Sequence, residues 1–465
     1  MGERHLRREK HLFFGVVLAG LLGVVIIYHT PVVSVSQEAM VCSGVGRDLL
    51  AGAVEGRQGL VGSLKWPPLP TLLLLPFVKI PHFGSSGLAF PVVNAIISAF
   101  TLTLLNGWLW RFGVPRLARF PLLALYQASP PVIAAVLTGS SATMLLLMLM
   151  AGAYFLVHWL GTLDLRSLAY LGVLGGLSVI TRYQTIVLVI LAAAVIVVRT
   201  LRLRERSFRP ATLLVFLIPS LYTVVLWFMA NWLMMGDPVY FLRGLAGPGA
   251  LLTEITELDV DWQLYLPPLL LLLVAYLMGR TWRSSLAKSV TVAVALAVLL
   301  ATVLWPYVTE IRPTAGTGSY FGRHNRQLGE VDEIVTCLAQ TYPDAKVFVS
   351  GYTGYPFVAR AAHEETFLHL MNLDLDEIQR RTRGQTLLFL VPRPKGLYRW
   401  EDINLRLPWL FDEYMKHLLT DEGLRLSFVL AKEWPNWHLI EAVRLESPSR
   451  PDMVGTKAGS RDPKR

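Results

Sequence analysis

The stretch HLFFGVVLAGLLGVVIIYH, residues 11–29, contains no Asp, Glu, Lys or Arg, and a few residues later the chain reads SVSQEAMVCSGVGRDLLAGAVEG, residues 34–56. The first stretch has the ~20 apolar residues needed to cross a ~30 Å hydrocarbon layer. The second carries Glu38, Asp48 and Glu55. Carboxylates therefore stand directly where the chain leaves an apolar span, and that junction sets the reading of everything downstream.

Working outward, the same apolar signal repeats. The chain of 465 residues is 53% hydrophobic and only 16% charged, far from the usage of a soluble globular domain. It reads as a multi-span membrane protein. The net charge of +10 does not point to nucleic acid, because the basic residues gather at the ends of apolar segments, where membrane orientation accounts for them. The N-terminal segment has the basic head and apolar core of a signal peptide but no small-residue cleavage site after the core, so it is expected to stay as the first span. Two cysteines, Cys42 and Cys337, are too few for a disulfide framework or a Cys-based zinc site. Both are expected as free thiols.

Basic residues cluster at Arg4 to Lys10, Arg111 to Arg119, around Arg166, from Arg199 to Arg209, and from Arg280 to Lys288. Placing every cluster in the cytoplasm gives nine spans near 11–29, 86–110, 119–137, 142–161, 167–182, 183–199, 211–231, 264–280 and 289–309. The protein is then expected in the inner (cytoplasmic) membrane with its N-terminus on the cytoplasmic side, and the loop of residues 30–85 faces out. Within that loop, KWPPLPTLLLLPFVKIPHF, residues 65–83, is too short and proline-rich to span and reads as an interfacial or re-entrant helix.

From about residue 311 charges become frequent. KVFVS (346–350) and TLLFLV (386–391) read as buried strands, and helical patterns appear at 327–343, 373–384 and 407–421. A strand pair over 424–445 closes the sheet as a hairpin. The expected fold class is thus an α-helical polytopic membrane domain over 1–310, an extracytoplasmic α/β domain over 311–445, and a disordered tail over 446–465.

In the opening stretch, Ser34 and Gln37 have capping-box spacing, so a helix is expected to start there. At ~100° per residue Glu38, Val41, Cys42, Val45 and Leu49 share one stripe, with Arg47 opposite. Glu38 on an apolar stripe needs a cation, a metal ion or a proton. Asp48 lies on the shoulder of the stripe beside Arg47 and reads as a solvated or paired acid.

These features resemble, in order and topology, the polyprenyl-phosphate-dependent glycosyltransferases of the GT-C class. The similarity is greatest to the branch of protein O-mannosyltransferases and the lipid A aminoarabinose transferase. In that branch an acidic pair in the first outward loop precedes a helix ending in Leu-Leu-x-Gly and then a Pro-Pro-Leu segment. The corresponding residues are Gln37-Glu38, Leu49-Leu50-Ala51-Gly52 and Pro67-Pro68-Leu69. GVLGGLSVITRYQTIVLVI, residues 172–190, resembles a Gly-rich span ending in a basic residue, here Arg182, and NWLMMGDPVYFLRG, residues 231–244, resembles an outward Asn-x-x-x-x-Gly-Asp-Pro segment. The resemblance covers roughly residues 10–310.

The resemblance implies transfer of a sugar from a polyprenyl-phosphate donor to an acceptor on the outer face of the membrane. Glu38 would be the general base or would hold a divalent metal ion, and Arg182, Lys65 and Arg243 would contact the donor phosphate. Trp66 and Asp48 would lie near sugar or lipid, and the C-terminal domain would bind acceptor or protein partners. The sequence departs from the pattern at Gln37, where the pair has an acid, and at TGSSAT, residues 138–143, where many relatives present a second one. A second reading is therefore a catalytically silent scaffold of the same fold. A transporter is disfavoured, because the spans hold few buried charges. GTGSYFG (316–322) lacks dinucleotide-site spacing, and HEETFLH (363–369) has Phe where a zinc protease has its second His.

Overall fold

The computed structural model describes residues 3–29, 35–61, 67–111, 114–201, 208–242, 320–351, 353–361, 366–369, 386–393, 417–419 and 425–445. These fall into two compact units. The first comprises Met1–Cys337 and Gly351–Glu364, the second Leu338–Ser350 and Glu365–Arg465. The sequence reading draws one boundary near 310; by contacts, the connection between the first two strands of the sheet belongs to the helical unit.

The helical unit starts with α1 (Glu3–His29), α2 (Gln37–Leu50), α3 (Val54–Val61), α4 (Pro68–Val78), α5 (Pro81–Ser86) and α6 (Ala89–Arg111). It continues with α7 (Arg116–Gln127), α8 (Pro130–Thr138), α9 (Ala142–Thr162), α10 (Leu165–Val179), α11 (Ile186–Leu201) and α12 (Phe208–Met235). It also holds α13 (Tyr320–Thr341), up to the unit boundary at Cys337, and the short α14 (Tyr355–Arg360). Among the described residues five helices are long and apolar enough to cross a membrane: Lys10–His29, Ala89–Arg111, Ala142–Thr162, Tyr183–Leu201 and Ala211–Met235. The chain is a multi-pass membrane protein.

Two expected spans differ from the expectation. The segment at 119–137 is broken into α7 and α8, bent by 59°. Pro130 and Pro131 lack amide donors and force Ser129 to an extended backbone (φ −62°, ψ 135°), so one continuous helix cannot pass through. The segment at 167–182 is the 15-residue helix α10, shorter than the ~20 residues a full crossing needs. The two spans expected at 264–280 and 289–309 lie outside the described residues.

Close packing of α10 on α12 follows from small residues. A side chain at Gly172 would meet the Phe216 carbonyl oxygen at 2.2 Å, and one at Gly176 the Thr223 hydroxyl at 2.6 Å. The Ser220 hydroxyl donates to the Gly172 carbonyl at 2.8 Å. In lipid no hydrophobic force drives helices together, so such backbone approach and interhelical bonding supply the association. At the start of the unit, α1 packs Leu21 and Val25 against Ala95 and Ala99 of α6 and Val136 and Leu137 of α8. His29 Nε2 lies 2.8 Å from the Leu137 carbonyl oxygen.

The second unit is a six-stranded sheet of β1 (Lys346–Val349), β2 (Phe367–His369), β3 (Leu387–Pro392), β4 (His417–Leu419), β5 (Arg425–Glu433) and β6 (Trp437–Leu445). Its order is β2-β1-β3-β6-β5-β4. The first three strands are parallel, and β6, β5 and β4 run as antiparallel neighbours beside β3. Every residue of β3 is buried, as a continuous apolar run covered on both faces requires. Phe389 stacks on Phe348 at 5.2 Å and meets Phe428 edge-on at 5.7 Å.

The expected strands at 346–350 and 386–391 and the hairpin over 424–445 are present as β1, β3 and β5–β6. The helical pattern at 407–421 is overruled at His417–Leu419, which pairs with β5 as an edge strand. Cross-strand pairing there outweighs a local helical preference. HEETFLH contributes β2. The helical pattern at 373–384 and the tail after Leu445 lie outside the described residues.

Candidate functional site

Helix α2 carries the first candidate residue, and its start is set by Ser36. That side chain accepts from the Ala39 amide at 3.0 Å and donates to the Gly139 carbonyl at 2.6 Å, while the Ser36 amide donates to the Thr138 carbonyl at 2.6 Å. Ser34, the expected cap, lies outside the described residues, and Gln37 is the first helical residue instead of the third. A tertiary tie to the 138–141 turn fixes the cap, where capping-box spacing alone favoured Ser34. At its other end the helix stops at Ala51, and Gly52 takes φ +75°, the left-handed position that glycine fills without cost.

The stripe inferred for α2 is buried at Val41, Cys42 and Val45, with Leu49 half-buried. Burial does not stop at one face, however: every residue from Ala39 to Gly46 is buried. Gly46 faces Leu75 and Val78 of α4, Val45 faces Gly59 of α3, and Gly44 is covered by the ring of Tyr355 from α14. The Cys42 thiol is free and fully enclosed, and burial together with the nearby Glu38 charge raises its pKa. Cys337 likewise is not part of a disulfide.

Glu38 is half-buried in the first turn of α2, and Ser140 donates to its Oε2 at 3.3 Å. The next residue, Ser141, accepts from Arg182 Nε at 3.3 Å. One two-residue turn therefore lies between the candidate acid and the candidate phosphate-binding cation. The turn is rigidly held. Gly139 has φ +81°, and a side chain there would meet Ala39 and Phe90 at 2.9 Å each. Fully buried Asn94 of α6 donates to the carbonyls of Ala135 at 3.0 Å and Ser140 at 2.9 Å. Ser140 and Ser141 immediately precede α9 and cap its first turn: the Ala142 amide donates to the Ser140 hydroxyl oxygen at 3.3 Å, and the Thr143 and Leu145 amides donate to the Ser140 and Ser141 carbonyls at 3.3 and 3.0 Å.

Arg182 stands at the break between α10 and α11, with extended backbone (φ −151°, ψ 116°) before a single 3₁₀ turn at Tyr183–Thr185. Thr185 closes that turn by donating through both its amide and its hydroxyl to the Arg182 carbonyl, at 3.0 and 2.8 Å. Tyr183 stacks on Phe241 at 5.6 Å, which brings the end of the Asn231-to-Pro238 motif beside the Arg182 segment. Gly236 ends α12 with φ +70°, and Asp237 Oδ1 accepts from the Val239 amide at 3.0 Å. The Leu69 amide of the Pro-Pro-Leu phrase donates to the Ile180 carbonyl at 3.2 Å, so the first-loop and Gly-rich phrases meet.

Asp48 is engaged elsewhere. Its Oδ2 accepts from the Tyr355 hydroxyl at 2.8 Å, and its Oδ1 lies 3.8 Å from Arg47 Nε. Burial and then the Asp48 carboxylate hold the Tyr355 phenol well above its ordinary pKa. Lys65, Trp66 and Arg243 lie outside the described residues. Sequence reasoning noted the 138–143 turn only for its missing acid. The serine pair, flanked by a glycine and a helix start, was the available signal for its hydroxyls.

Among the described residues no three His, Cys, Asp or Glu side chains are grouped to hold a metal ion. Glu38 and the Ser140 hydroxyl offer one carboxylate and one neutral oxygen, which suits an ion whose other ligands come from phosphate and water, as magnesium commonly has.

No family model matches the chain, and no curated protein matches it significantly. Among solved structures, ArnT from Cupriavidus metallidurans, determined with undecaprenyl phosphate bound, is similar with a TM-score of 0.40 and 10% sequence identity, over 91% of this chain and 97% of that chain. A likeness at this level establishes neither a shared activity nor a shared substrate.

Proposed function

We propose that the chain is a membrane glycosyltransferase that moves a sugar from a polyprenyl-phosphate donor to an acceptor on the outer face of the cytoplasmic membrane. The observation that supports this reading is the pairing of Glu38 with Ser140 and of Arg182 with Ser141 on one turn at the head of α9. Glu38 takes the proton of the acceptor hydroxyl, whose oxygen attacks the anomeric carbon. The bond from that carbon to the phosphate oxygen breaks, with inversion, and polyprenyl phosphate leaves. Arg182 meets the phosphate charge that develops. Glu38 is also the residue that would hold a divalent ion, which when bound neutralises charge on the leaving phosphate. Lys65, Arg243 and Trp66 join the site on the sequence resemblance alone.

A scaffold without transfer activity is the second reading. It is favoured by Gln37 in place of an acid, by the absence of a carboxylate in residues 138–143, and by Asp48 being committed to Tyr355. One experiment decides between them: purified protein reconstituted in lipid is assayed for release of polyprenyl phosphate from polyprenyl-phosphate sugars with candidate acceptors. Turnover above a protein-free control supports the enzyme. No turnover with any donor supports the scaffold.

A further inference from the structure

The chain runs from β1 to β2 through residues 351–364, and this connection belongs to the helical unit. Tyr355 on α14 is 1% exposed, its ring covers Gly44, and its hydroxyl bonds to Asp48, 307 residues earlier. A Cβ at Gly44 would lie 2.1 Å from Tyr355 Cδ1; only glycine admits the ring. Ala359, one turn further along α14, packs against the cluster of Val35, Ala39, Met40 and Cys42. Arg360 at the end of α14 lies 3.6 Å from Asp332 of α13, a half-exposed pair that adds little by itself.

The geometry of α2 makes this contact relevant to Glu38. The helix is a 14-residue rod, tied at its first turn to the 138–141 turn through Ser36 and near its last turn to Tyr355 through Asp48. Gly44 lies ~9 Å along the axis from Glu38 and ~120° around it, and Asp48 falls within ~40° of Gly44. Tyr355 thus bears on a face of α2 well removed from the face that offers Glu38 to Ser140. Helices α3 and α4 also pack on α2, at Val45 and Gly46; the Tyr355 ring and its bond to Asp48 add a further stop against rotation about the helix axis, the motion that would carry a carboxylate off a 3.3 Å contact.

We propose that Tyr355 is a positioning residue for Glu38: by seating its ring on Gly44 and its hydroxyl on Asp48 it fixes the rotation of α2 that holds Glu38 against Ser140. The role of Glu38 rests on the glycosyltransferase reading, but its placement does not.

The test measures that placement directly. In full-length protein with Cys42→Ala and Cys337→Ser, Glu38→Cys and Ser140→Cys are cross-linked with a short bifunctional methanethiosulfonate. The rate is compared among Tyr355, Tyr355→Phe, Tyr355→Ala and Gly44→Ala, using only monodisperse protein in detergent. Losing a hydrogen bond to a charged group corresponds to about tenfold in an equilibrium, so slowing of up to about that size is expected for Tyr355→Phe, and more for Tyr355→Ala and Gly44→Ala. An unchanged cross-linking rate in folded Tyr355→Phe and Gly44→Ala overturns the proposal. With Glu38 and Ser140 intact, Tyr355→Phe is expected to lower kcat with the donor KM unchanged. If the wild type shows no turnover, the glycosyltransferase reading fails while the cross-linking result still decides the positioning role.

Discussion

The Ser140 hydroxyl donates to the Glu38 carboxylate at 3.3 Å, joining residues 102 positions apart in the chain. A carboxylate oriented by one neutral donor keeps lone pairs free to accept a proton. Glu38→Gln preserves shape and the Ser140 bond but removes basicity. Turnover in reconstituted protein is expected to fall ~10²-fold or more, the range for losing a general base, with unchanged yield and thermal stability.

Arg182 is expected to act on the donor. Arg182→Gln removes a charge-assisted contact of ~1.5–3 kcal/mol, so the donor KM should rise roughly tenfold or more. Steady-state kinetics with varied lipid donor at saturating acceptor provides the measurement. Ser141→Ala, which removes one 3.3 Å contact of the guanidinium, should shift the same parameter by less.

Gly139→Ala tests the rigidity of the turn. The new methyl would have to occupy φ +81° and stand 2.9 Å from both Ala39 and Phe90. A strained backbone of this kind costs about 1–3 kcal/mol. The midpoint of thermal unfolding in detergent should drop, and the turnover loss should approach that of Glu38→Gln because Ser140 moves with the turn.

The α10–α12 contact predicts a different failure. Gly172→Leu drives a side chain into the Phe216 carbonyl, 2.2 Å from the position of its Cβ, and overpacking of this kind costs about 1–3 kcal/mol. Arg182 follows α10 directly, so the donor KM should rise along with the loss in thermal stability.

The sheet unit carries a pH dependence. His438 is 3% exposed, with Nε2 3.2 Å from the Glu433 carboxylate that Arg393 already engages. Burial and then the Arg393 charge hold the imidazole below its ordinary value of 6.5. The unfolded chain therefore takes up this proton first as pH falls. Stability from neutral His438 is complete above 6.5 and is lost as pH drops through the lower folded value. Hydrogen exchange of residues 425–445, corrected for intrinsic rates, should accelerate on acidification below 6.5, and His438→Gln should flatten the profile.

Much of this organisation was legible in the sequence because lipid imposes strong local rules. Apolar length marked the long helices, and continuous apolar runs marked β1 and β3. Periodicity placed Val41, Cys42 and Val45 on one buried stripe and set Arg47 apart from it. The Pro130-Pro131 pair that splits α7 from α8 was a readable break signal overridden by the apolar count around it.

What could not be read was set by partners far away in the chain. The cap of α2 is Ser36 because the Thr138 and Gly139 carbonyls select it, and no spacing rule sees residues 103 positions on. Asp48 looked like a shoulder acid, yet its partner is a tyrosine 307 residues away, and nothing in either local pattern names the other. β4 reads as helix until β5 is there to pair with it. Glu38 and Arg182 were singled out separately; their meeting at two adjacent serines depends on the three-dimensional course of α6, α9 and α10.

The covering of Gly44 by Tyr355 has a consequence for biosynthesis. A ribosome delivers the chain in order, so α2 enters its surroundings more than three hundred residues before its last neighbour is made. Until then the Gly44 face has no ring on it, and Asp48 lacks its bond from the Tyr355 hydroxyl. Truncation just before residue 355 should therefore yield an inserted but immature protein, with a loosened first loop that quality-control proteases can recognise.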